Sequence, residues 1–79
     1  MPDYSLLPTY ATARHILLPH IAEQSADQRD MQYIAFLACA SDTMRDARNC
    51  PDKRQRSYLA FRARCHVRMA RYWLMLTQS

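Results

Sequence analysis

Asn49-Cys50-Pro51-Asp52, just past the middle of the chain, is the stretch from which the rest can be read. With no glycine among its 79 residues, the chain must make its sharpest turn from other residue types. Arg45 and Arg48 precede the stretch as cations suited to the negative end of a helix dipole. Asparagine is the best substitute for glycine at the left-handed position after a helix. Pro51 has a fixed φ and no backbone N–H, which suits the first turn of a following helix, with Asp52 beside it. The four residues predict a tight turn between two long antiparallel helices, over 26–48 and 51–77.

Upstream, Ser25-Ala26-Asp27-Gln28 has the S-x-x-Q form of a capping box. Asp27 and Asp30 lie in the first turns, where the dipole favours negative charge. Tyr33, Leu37, Ala40, Met44 and Ala47 follow at alternating spacings of four and three, a packing seam. Between Met31 and Ala40 nearly every position is apolar, so this half should be covered on more than one side.

Downstream, at about 100° per residue, the last helix carries two apolar stripes on roughly opposite sides. One is aromatic and soft: Tyr58, Phe61, Cys65, Met69, Tyr72 and Leu76. The other is aliphatic: Leu59, Ala63, Val67, Ala70 and Leu74. Arg64, Arg68 and Arg71 fill one flank, while Arg62, His66 and Trp73 fill the other. Residues 9–24 read as a shorter helix with Tyr10, Ala13, Leu17 and Ile21 on one face. Pro19 lacks an N–H and clashes with the carbonyl of His15, which predicts a kink or break near Leu18. The expected fold is all-α: one domain over 1–79, a long antiparallel helical hairpin with a short Pro-kinked N-terminal helix folded across it.

So short a chain buries only about 60–65% of the surface its unfolded form exposes. Yet 49% of it is hydrophobic, with eight aromatics and five Met. Small chains of this kind usually need a staple or a partner. Tyr58, Phe61, Cys65, Met69, Tyr72, Trp73 and Leu76 are therefore the predicted partner-binding residues. Their composition is that of an interface centre, suited to the helical groove of another protein or to a homodimer. The isolated chain is expected to self-associate or to be marginally stable, and Phe61→Glu or Met69→Glu to abolish association.

The seam Leu37, Ala40, Met44, the turn Asn49-Cys50-Pro51-Asp52 and the Gln55-to-Tyr58 start of an apolar-rich last helix resemble one family. It is the YscE-like helical-hairpin co-chaperones of type III secretion needle subunits. The likeness spans about Asp27 to Leu76. It implies a minor, non-enzymatic partner of a repeat-type chaperone that keeps the needle subunit unpolymerised. The chain departs from that pattern in being longer, richer in aromatics and Arg, and without glycine at the turn.

Charge is uneven. Residues 1–50 hold four basic and six acidic side chains, and residues 51–79 hold seven basic against Asp52 alone. Pairing the long helices about the turn sets Asp46 near Arg54 or Arg56, and Asp30 near Arg71. The alternative function is a small basic regulator that binds nucleic acid through Lys53, Arg54, Arg56, Arg64, Arg68 and Arg71. A third, a phage or plasmid-type inhibitor docking on a host protein, is the same physics as the first.

No catalytic constellation is legible, so no enzyme is expected. Cys65 and His66 are adjacent, and helix neighbours point about 100° apart, which does not make a nucleophile–base pair. His15 and His20 are five apart across a proline, not at the spacing of a helical metal pair, and no metal or cofactor is expected. Absent glycine excludes the P-loop, the dinucleotide fingerprint, the nucleophile elbow and the EF-hand. Three cysteines without a C-x-x-C pair suggest reduced thiols and a cytoplasmic location. The N-terminus has no basic n-region, and Pro8 and Pro19 interrupt its apolar stretch, so no secretion signal is expected. The apolar run Met31 to Ala40 is half of what a membrane span needs.

Overall fold

The computed structural model describes residues 7–78; residues 1–6 and 79, the ends of the expected domain, lie outside the described part. The described chain is all-α: α1 (Tyr10–Glu23), α2 (Ala26–Asn49) and α3 (Lys53–Gln78), with no strand among the described residues. Its Cα extents are 41 × 23 × 15 Å. With helices about 10–12 Å across including side chains, the thin direction leaves room for a two-layer body.

Each helix start has a visible cause. The Thr9 hydroxyl accepts from the Thr12 amide at 3.2 Å and caps α1. At α2 the capping box is complete: Gln28 N–H donates to Ser25 Oγ at 3.3 Å, and Ser25 N–H donates to Gln28 Oε1 at 2.8 Å. At α3 the Asp52 carboxylate accepts from the Arg54 amide at 3.0 Å, and the Asp52 carbonyl takes the Arg56 amide at 2.9 Å.

The turn differs in detail from its sequence reading. Asn49 stays helical as the last residue of α2, and no described residue has positive φ. Cys50 makes the turn in extended conformation, φ −84° and ψ 123°, with its N–H on the Ala47 carbonyl. Pro51 lies outside α3, because the capping carboxylate of Asp52 sets the helix start at Lys53, two residues later than expected. Nor does Pro19 break α1, which continues to Glu23. The turn beyond Pro19 is held by Ile21, which is buried.

α2 and α3 pack along one another through small residues: Ala40 and Ala47 of α2, Ala63 and Ala70 of α3, all buried. Small side chains at such positions let two helices approach closely. Of the remaining seam, Tyr33 and Met44 are half-buried, but Leu37 is exposed. α1 lies over the C-terminal half of α3, where Ala13, Leu17 and Ile21, four residues apart, meet Trp73 and Leu76. Phe36 packs edge-on to the Trp73 ring at 5.9 Å, a geometry worth about 0.5–1.5 kcal/mol beyond the area it buries. Trp73 Nε1 donates to the Arg29 carbonyl at 2.9 Å. The Arg29 guanidinium in turn donates twice to the Ile21 carbonyl, at 3.0 and 2.7 Å, satisfying a carbonyl in the last turn of α1.

Candidate protein-binding surface

The aromatic stripe of α3 is split by this arrangement. Trp73 is 1% exposed and Leu76 is buried beside it, so both belong to the core rather than to a free docking face. Met69 and Tyr72 pack against that core, and Tyr72 also meets Tyr10 edge-on at 5.7 Å and donates from its hydroxyl to the Pro8 carbonyl at 3.3 Å. Only the N-terminal part of the stripe, Tyr58, Phe61 and Cys65, lies beyond this α1-covered cluster. Phe61 and Cys65 are half-buried, and the Arg62 guanidinium sits 5.8 Å from the Tyr58 ring centre.

Trp73 belongs to the core because the two stripes of α3 are joined by a buried arc and do not lie on opposite sides. With Arg64, Arg68 and Arg71 facing solvent, the buried arc of α3 must be the remaining side, and Trp73 lies in its middle. Helices α1 and α2 cover neighbouring arcs, and the indole fills the angle between them.

Large apolar side chains remain outside that core. Met31 is 67% and Ile34 59% exposed on α2, so the apolar run of that helix is covered on one side, not two. Leu37 and Val67 are each 39% exposed, beside a part of the α2–α3 pair that no residue of α1 lines, although Leu7, ahead of α1, comes beside Val67, Arg64, Arg68 and Arg71. Between Leu37 and Val67 runs a trough of about 340 Å³ lined by Leu37, Ala40, Ser41, Met44 and Arg48 of α2 and by Ala63, Arg64 and Val67 of α3. A smaller crevice of about 270 Å³ lies under α1, between His20, Gln24 and Gln32 at its mouth and Phe36, Met69 and Trp73 at its floor. Gln24 Oε1 is buried without a hydrogen-bond partner.

Basic residues line the solvent side of α3. Lys53, Arg64, Arg68 and Arg71 are exposed and fall close to one line along the helix axis, reaching about 27 Å from Lys53 to Arg71. Arg54 and Arg56, also exposed, point away from that line on either side. Among the described residues no ion pair joins Asp46 to Arg54 or Arg56, nor Asp30 to Arg71. The pair that does form is Arg45–Asp42 at 3.3 Å, within α2. Among the described residues no ion pair thus neutralises the positive charge of α3.

Burial pushes the Cys65 thiol up, outweighing the lowering by Arg64 and Arg68, so its protonated form is favoured. Burial, then the Arg62 charge, pushes His66 down. Both shifts work against a thiolate–imidazolium pair. Cys39, Cys50 and Cys65 are free thiols. Among the described residues no group of three or more His, Cys, Asp or Glu is placed to hold a metal ion. No described helix is long and apolar enough to cross a membrane. No protein-family model, curated protein or solved structure matches this chain.

Proposed function

We propose that this protein is a non-enzymatic adaptor or co-chaperone that binds another protein through apolar surface along its two long helices. In this reading α2 and α3 are the arms of an antiparallel helical hairpin in the cytoplasm, and α1 is a brace over one side. One observation carries it: among the described residues, ten large apolar side chains are exposed, whereas only Leu17, Ile21, Trp73 and Leu76 are buried, the other buried positions being alanines. A core so thin, beside so much exposed apolar surface, is the pattern of a subunit that completes itself on a partner. The resemblance to YscE-like co-chaperones favours a chaperone-type partner. The binding surface shifts, however, from the aromatic stripe to the open side of the helix pair around Leu37 and Val67.

The test is co-purification from the native cell, with the partner identified by mass spectrometry and its contact mapped by cross-linking. Leu37→Glu and Val67→Glu should each release the partner while leaving the helical circular dichroism unchanged. A chain that stays monomeric, with no partner lost on either substitution, would overturn the reading.

A second reading has its own support in the exposed line Lys53, Arg64, Arg68 and Arg71, which joins no ion pair among the described residues. A nucleic-acid binder built on that line loses affinity steeply as salt rises. No mobility shift with duplex or single-stranded oligonucleotides at low salt removes it.

A further inference from the structure

Resting on the adaptor reading, we propose that the trough between α2 and α3 receives an acidic amphipathic helix from another protein. Its floor is aliphatic, from Leu37, Met44 and Val67, and its rim carries Arg48 on one arm and Arg64 on the other. Arg71 extends that rim one and a half to two turns further along α3.

The shape and chemistry select the occupant. Both walls are helices whose backbone groups are bonded internally, so an extended peptide has no strand edge to add to. What fits between two parallel ridges is a third rod that inserts aliphatic side chains at i, i+3 or i+4, and i+7. Its flanks must be Asp or Glu, since Arg48, Arg64 and Arg71 are exposed and join no ion pair among the described residues. A second copy does not satisfy this: docking the trough on itself about a two-fold axis brings like-charged rims together. Nor does a stacked single strand, because base stacking needs aromatic platforms and no aromatic residue lines the trough.

Two stapled helical peptides of about five turns test this, each with the same Leu seam and one with Glu, the other with Lys, on the flanking positions. The Glu peptide should bind the full chain, shift the NMR signals of Leu37, Met44 and Val67, and weaken by at least roughly tenfold in Arg64→Glu/Arg71→Glu. That double variant should instead gain affinity for the Lys peptide. Met31→Glu, on the outer face of α2, should change neither. Equal binding of the two peptides, or none by the Glu peptide, overturns the proposal. Signals moving around Met31 and Ile34 instead also overturn it, and leave the adaptor reading intact. If an oligonucleotide binds this face and neither peptide does, and partner release on Val67→Glu also fails, the adaptor reading falls with it.

Discussion

The two sides of the α2–α3 pair are made by the same two helices, yet one is closed and the other open. On the closed side the helices contribute Phe36, Met69, Tyr72 and Trp73, large and mostly aromatic, and α1 lies over them. On the open side they contribute Leu37, Met44, Val67 and Leu74, aliphatic and of moderate size, flanked by arginines. The closed side holds the fold together, since it holds the buried Trp73, and the Tyr72 hydroxyl and Trp73 indole find partners within the chain. The open side is left apolar and charged, the combination on which the proposed docking rests.

Adjacent residues give the strongest way to break this comparison. Trp73→Ala removes the largest fully buried side chain among the described residues, and takes the indole donor from the Arg29 carbonyl. Such a truncation costs about 3–5 kcal/mol, a large part of what so small a domain has to lose. Leu74→Ala, one position on and exposed, should cost under about 1 kcal/mol. Urea unfolding followed by circular dichroism measures both, and similar midpoints for the two variants would erase the distinction between the sides.

Leu17→Ala tests whether α1 is a true brace. The expected loss is about 2–5 kcal/mol. Met69→Glu belongs with it: because Met69 packs on the core, the charge should unfold the chain and not merely dissociate it from a partner. Phe61→Glu, on the part of the stripe beyond α1, should be the milder of the two glutamates. A folded Met69→Glu variant, seen by intact near-UV circular dichroism, would show that the aromatic stripe is surface after all.

The start of α2 offers a smaller effect. Ser25→Ala removes the hydroxyl that accepts from Gln28, for a cost of about 1 kcal/mol in the thermal midpoint analysis. Smallest is the pH response of His66. Its folded pKa lies below the ordinary 6.5, so the unfolded chain binds the proton more readily as pH falls through that range. Stability should therefore decline on going from about pH 7.5 to about pH 5.5, and His66→Gln should flatten that decline. An unchanged pH slope in the variant would mean that other groups set it.

Much of the fold was legible because it rests on local rules. The capping box at Ser25 and the seam alanines Ala40 and Ala47 follow from spacing and hydrogen-bonding chemistry within a few residues. The turn was legible in place but not in conformation: Asn49 was assigned a left-handed geometry that Cys50 makes unnecessary by turning in extended form. The site was less legible. Spacing along one helix shows which residues share an arc, but not which neighbour covers that arc, and α1 covers the aromatic one. Trp73 therefore read as part of a docking face when it is the centre of the core. The expected ion pairs of Asp46 and Asp30 with the arginines of α3 do not form among the described residues, because being level across a helix pair does not by itself bring two long, solvated side chains within reach.

Arg29 deserves its place in the middle of the structure for what it does to the only tryptophan. Its guanidinium holds the last turn of α1 and its carbonyl holds the indole of α3, so a single residue clasps all three helices. The indole emission thereby becomes an intrinsic gauge of that clasp. A red shift that precedes the loss of helical signal reports α1 lifting away as a separate step. Occupancy of the trough on the far side, where the indole does not reach, leaves the same signal silent, so bracing and binding can be followed independently in one sample.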